Sequence, residues 1–124
     1  MKIIDCHAHL VQYIAGTGSG GELRSIGGGM ARYANGQTVQ FGTEGVSPEQ
    51  LLEVMDANGV EKAVLLQGNF YGFQNHYTWD AVLKYPDRFI GAASYDPYSL
   101  EYEGIRRHLF EELGFKIEKF EVSS

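Results

Sequence analysis

The sequence predicts an α/β fold: a partial (β/α)8, or TIM, barrel of about four parallel strands and three helices, with a small β-hairpin inserted after the first strand. Three observations predict it. Short apolar runs alternate with helix-like segments along the chain, the pattern of parallel strands joined by crossover helices. The run Ala63 to Leu66 is continuously apolar, as expected of a strand buried on both faces. Two histidines, His7 and His9, stand at the end of the first apolar run, and the carboxyl ends of strands are where such barrels place their chemistry.

The elements follow in order. Lys2 to Cys6 reads as the first strand, and a glycine-crowded insertion covers about residues 11–46. Within it, Met30 to Phe41 is split by Asn35-Gly36, a pair that accepts the positive φ of a tight hairpin turn. Ser47, Pro48 and Gln50 supply a cap, a first-turn proline and the third-position partner of a capping box. Leu51, Val54 and Met55 give that first helix its apolar stripe, and Asn58-Gly59 stops it. After the strand Ala63 to Leu66, a polar and aromatic loop leads to a helix over Tyr77 to Tyr85, ended by Pro86. Phe89 to Ala93 is the third strand. A helix from about Leu100 carries Ile105, Leu109 and Leu113 on one stripe and closes at Gly114, before a fourth strand over Phe115 to Val122.

Four strands are half of what a closed barrel needs, since a complete one takes roughly 250 residues. The 124 residues are therefore expected to be the N-terminal half of one barrel domain, completed by self-association or by a C-terminal half. A formal charge of −6 disfavours a general nucleic-acid binder and an anionic membrane surface. Cys6 stands alone, so no internal disulfide forms. Asp5, His7 and His9 interrupt what would be the apolar core of a signal peptide. A cytoplasmic protein with a small-molecule substrate is the expectation.

Asp5-Cys6-His7-Ala8-His9 is the strongest chemical signal. By strand alternation Asp5, His7 and His9 share one face, and Cys6 and Ala8 the other. Two imidazoles at a strand end can converge on one divalent ion, with Asp5 one pleat deeper as their support. Cys6 is expected to be a small buried apolar residue. Further polar residues follow the other strands: Gln67 and Asn69 after the second, Ser94, Tyr95 and Asp96 after the third, Glu121 and Ser123 after the fourth. Of these, Gln67, Asn69, Tyr95 and Asp96 are candidates for substrate binding, as is His76 beside the second loop. Lys119 and Glu121 share a face and read first as an ion pair, with Glu121 a further candidate metal ligand. His108 reads as solvent-facing or as an interface residue. Gly16 to Gly21 has the spacing of a dinucleotide fingerprint, but no helix follows it, so it reads as a flexible loop.

Ile4-Asp5-Cys6-His7-Ala8-His9-Leu10 resembles the opening of amidohydrolase-superfamily barrels. Asn58 to Leu65 resembles their approach to the second strand, and Tyr85-Pro86-Asp87-Arg88-Phe89-Ile90-Gly91 a phrase typical of the amidohydrolase-related group that includes aminocarboxymuconate-semialdehyde decarboxylase. The resemblance implies a divalent metal, expected to be zinc, held by His7 and His9 together with a His after the fifth strand and an Asp after the eighth. It implies hydrolysis or non-oxidative decarboxylation of a small carboxylate, amide, ester or lactone, by a chain inactive alone because the expected base lies beyond Ser124. TatD-type phosphoesterases or deoxyribonucleases open with a similar D-x-H-x-H-L string and are an alternative. A non-catalytic, self-associating half barrel is another.

Overall fold

The computed structural model describes residues 1–40 and 45–121; Phe41, Val122 and Ser123 of the expected elements lie outside them. Four parallel strands form a curled half barrel in the order β1 (Ile3–Ala8), β6 (Val60–Leu65), β7 (Phe89–Ala93), β8 (Ile117–Glu118). The helices α1 (Pro48–Ala57), α2 (Asn75–Lys84) and α3 (Tyr102–Arg107) alternate with these strands, as a partial (β/α)8 barrel requires.

The local signals act as their chemistry dictates. Ser47 Oγ accepts from the Gln50 amide at 3.1 Å while Gln50 Oε1 accepts from the Ser47 amide at 2.8 Å, so two of the orphan donors at the start of α1 are satisfied. Met55 on α1 and Ala81 on α2 bury against Ala63, Leu65 and Phe89 of the sheet. Leu109 carries the third stripe into a second cluster with Ala93, Tyr95 and Phe115.

Three expectations change. The third helix does not begin at Leu100, which is fully exposed; it starts at Tyr102 and widens into a π-helix over His108–Leu113 before Gly114. The fourth strand shrinks to Ile117–Glu118, because Phe115 turns into the core and the chain beyond Glu118 is held by Ser94. The strand over 63–66 was expected to be buried on both faces, yet only Ala63 and Leu65 are fully buried. On the neighbouring strand Phe89 is buried and Ile90 exposed. On the face away from the helices, the barrel interior, Ile4 and Ile90 are more than a third exposed.

The insertion is more than one hairpin. It folds into a four-stranded antiparallel meander: β2 (Ala15–Gly18), β3 (Gly21–Gly27), β4 (Met30–Tyr33) and β5 (Thr38–Gln40). The Asn35-Gly36 turn joins β4 to β5 as expected, with Gly36 at φ 93°. Gly28 and Gly29, at φ 63° and 76°, make the tight reversal between β3 and β4. The segment Gly16 to Gly21 is no flexible loop but the β2–β3 hairpin. Its glycines serve close approach: Ala15 and Thr17 donate to the carbonyls of Tyr71 and Asn69 at 2.9 and 2.8 Å, and a Cβ on Gly16 would overlap the carbonyls of Asn69 and Phe70. Leu23 and Ala31 bury the inner face of the meander against Val11 and Ile14. The insertion is thereby fastened to the loop that follows β6.

Candidate active site at the carboxyl ends of the strands

β1 delivers its histidines to the edge of this face. The rings of His7 and His9 lie 4.9 Å apart, nearly perpendicular at 84°. His9 Nδ1 is 2.9 Å from the carbonyl of Leu66, the residue that follows β6. A carbonyl only accepts, so Nδ1 carries the proton and Nε2 is left with its lone pair free, the arrangement that orients a metal-binding histidine. Tyr71 packs on the same ring at 5.6 Å. His7 is exposed, and Asp5 Oδ1 accepts from its backbone amide at 2.9 Å. Asp5 thus braces the backbone of His7 and not its ring.

The alternation expected across this segment is broken. Asp5 registers with Ala63 and Ala8 with Leu65, so three steps along β1 match two along β6. Cys6 falls in that irregularity on an edge strand and is exposed, contrary to the buried position expected of it.

Beyond the histidines, an open groove of about 850 Å³ runs across the ends of β6, β7 and β8. Gln67, Asn69, Tyr95, Asp96, Lys119 and Glu121 contribute to its walls. Their roles differ. Gln67 is buried, and its amide is engaged on every side: Nε2 donates to Asn75 Oδ1 at 2.9 Å and to the Ala92 carbonyl at 2.8 Å, and Oε1 accepts from the Gln74 amide. With both amide hydrogens used, it has no donor for a ligand, and it braces the groove floor. Asn75 extends the network to both backbone groups of Ser94. Tyr95 directs its hydroxyl to Glu118 Oε1 at 3.2 Å, and burial, with Glu118 adding, pushes its phenol up from the ordinary value. Asp96 accepts from the Tyr98 amide and shapes the turn after β7. His76 does not line the groove; its ring faces His108.

Lys119 and Glu121 form the ion pair read from their alternation, at 3.0 Å. Glu121 Oε2 also accepts from the Asn69 amide at 3.1 Å, tying the end of the chain to the loop that holds the insertion. The Lys119 hydrogen bond, then the Asn69 amide, hold the Glu121 carboxyl below its ordinary value against the opposing effect of burial, and the charge of Lys119 adds to this. A depressed folded value means that the tether contributes stability above the ordinary carboxyl range and loses it as pH falls through the depressed value. The Asn69 amide signal should therefore titrate with a midpoint below about 4.3, and Glu121→Gln should remove that titration. A midpoint at or above that value would show that the tether does not form in solution.

Among the described residues no group of three His, Cys, Asp or Glu side chains is placed to hold a metal ion. Glu121 is committed to Lys119 and Asn69, which leaves His7 and His9 as a pair. Sequence reasoning passed over Leu66, whose carbonyl sets the His9 ring. A backbone acceptor leaves no signal in residue type.

Parallel βα units with their titratable side chains gathered at the strand ends define an α/β barrel domain of the kind that carries active sites at that face. The chain matches the amidohydrolase family over residues 4–121 and belongs to that family. Among solved structures it is similar to a probable 2-pyrone-4,6-dicarboxylic acid hydrolase from Acinetobacter baumannii, crystallised with citric acid bound. The TM-score is 0.58 and the identity 21%, over 97% of this chain and 38% of that one, so the chain spans well under half of that neighbour's length. No curated protein matches the chain. No described helix is long and apolar enough to cross a membrane.

Proposed function

We propose that this chain supplies one half of a metal-dependent amidohydrolase barrel that hydrolyses an amide, ester or lactone bond in a small carboxylate-bearing substrate. The observation that carries the reading is the set of His9: Nδ1 tied to the Leu66 carbonyl and Nε2 free, beside His7 at the end of β1. Those two residues fit a zinc-type ion as part of its ligand set, because catalytic zinc sites use three protein ligands. When bound, such an ion would supply Lewis acidity that activates water and polarises a carbonyl at neutral pH. His9, braced through Leu66, and His7, braced through Asp5, would hold it in place. Lys119, the one cation lining the groove among the described residues, offers its ammonium to a substrate carboxylate in exchange for Glu121. Asn69 lines the same groove. The neighbour's name, that of a dicarboxylic acid hydrolase, agrees with this substrate class. Family membership favours this reading over the TatD-type one.

The uncovered inner face belongs to the same reading. Ile4, Ile90 and Ile117 are all more than a third exposed, and an apolar sheet face of this kind needs a partner. The completing half, or a second copy, covers it. The test compares the isolated chain with a barrel completed by the C-terminal βα units of a relative, both loaded with Zn²⁺. The expected result is an associating, inactive chain by sedimentation and a monomeric barrel that hydrolyses carboxylate-bearing esters or lactones until a chelator is added. A compact monomer of the chain alone, or a completed barrel with chelator-insensitive activity, would overturn the proposal.

A further inference from the structure

We infer that His76 and His108 form a second, outer site for a divalent transition-metal ion, clipping α2 to the π-helical turn and oriented by Glu112. His76 lies in the first turn of α2 and His108 opens the π-helical segment. Across 32 residues of sequence their Nε2 atoms come within 2.9 Å, with the ring planes 23° apart and both side chains open to solvent. Glu112 Oε2 lies 2.6 Å from His108 Nδ1. A carboxylate accepts, so His108 keeps its proton on Nδ1 and turns the Nε2 lone pair toward His76. This is the carboxylate–histidine arrangement that holds metal-binding imidazoles in one tautomer and orientation.

In the metal-free form one proton sits between the two Nε2 atoms. His76 supplies it, because His108 Nε2 is already committed as acceptor. Nδ1 of His76 has no hydrogen-bond partner among the described residues, so the ring takes its other tautomer freely and then offers a second Nε2 lone pair. At bonds of about 2.0 to 2.1 Å, two nitrogens on one ion stand roughly 3 to 3.4 Å apart. The rings need to part by only tenths of an ångström and tilt toward the ion, and their exposure allows both. Water completes the coordination, consistent with only two protein ligands. The nearby Arg106 is engaged with Glu118 at 3.4 Å. π-helical turns inside α-helices occur frequently at functional sites, and here the widened turn carries both His108 and its carboxylate.

Trp79, the one tryptophan of the sequence, stands three residues from His76 and packs on Phe115 at the junction of α2 with the third helix. It reports on the site directly. The experiment titrates the 124-residue chain, in a His7→Ala/His9→Ala background that removes the other pair, with Ni²⁺ alone. Trp79 fluorescence is followed, and Tm is measured with and without the ion. The expected result is saturable quenching at one equivalent and a raised Tm, with the affinity falling at least about 10-fold in His76→Ala and in His108→Ala. Glu112→Gln keeps both ligands and should weaken binding by about 10- to 100-fold. His76 and Glu112 are exposed and His108 is half-buried, and an unchanged circular dichroism spectrum confirms that each variant is folded. Quenching that does not saturate, or that is unchanged in both histidine variants, would overturn the site; full affinity in Glu112→Gln would overturn the role of the carboxylate.

Discussion

Replacing Gln67 by Leu is expected to destabilise the fold by about 3 kcal/mol, which is large for one side chain. Gln67 is 2% exposed, and its amide joins three elements: the end of β6, the start of α2 through Gln74 and Asn75, and β7 through the Ala92 carbonyl. Leucine fills a similar volume, so little of the loss comes from a cavity. It leaves the buried Gln74 amide without its acceptor and takes a donor from the Ala92 carbonyl, whereas Asn75 Oδ1 keeps the Ser94 amide. A buried polar group deprived of its partner costs about 1 to 3 kcal/mol, and two such groups give the figure. The groove should suffer with the fold, because Asn75 holds both backbone groups of Ser94 only while Gln67 positions it. Urea unfolding checks the expectation through a lowered midpoint at constant m-value. A loss under 1 kcal/mol would mean that water replaces the amide and that the floor of the groove is wet.

This residue also shows where sequence reading stops. Position placed Gln67 at the mouth, since it follows an apolar strand, but its saturation by Ala92, 25 residues away, is a tertiary fact. Signals that act within a few residues were legible: the Ser47–Gln50 box, the Asn35-Gly36 turn, and the shared face of Lys119 and Glu121. So was the alternation of parallel strands and helices, which depends only on period and length. The meander was read short because its glycines answer to the distant backbone of Asn69 to Tyr71. Cys6 was misplaced because alternation assumes regular pairing, and the bulge between Asp5 and Ala8 is set by the partner strand. His76 and His108 were read singly, as a substrate-binding candidate beside the second loop and as a solvent-facing or interface residue, since nothing in a linear sequence brings two helix turns together.

The largest functional effects are expected at the end of β1, in a completed barrel. His9→Ala should lower metal affinity on the order of 100-fold or more, because it removes a ligand already held in the correct tautomer by the Leu66 carbonyl. His7→Ala should cost somewhat less, since the His7 ring is exposed and its bracing reaches only the backbone. The double variant should add little to either, because two ligands of one ion act as a unit and their losses do not sum. Asp5 separates charge from geometry. Its contact is a hydrogen bond from the His7 amide to Oδ1, which an asparagine carbonyl oxygen also accepts, so Asp5→Asn should keep metal content while Asp5→Ala lowers it. Any loss of rate in Asp5→Asn then measures the carboxylate charge, with about 10- to 100-fold expected for a group that supports a ligand. Metal analysis and steady-state kinetics on the five variants read these outcomes together. Full metal occupancy in both single histidine variants would show that the pair is structural, and the Leu66 hydrogen bond would then serve only to join β1 to β6.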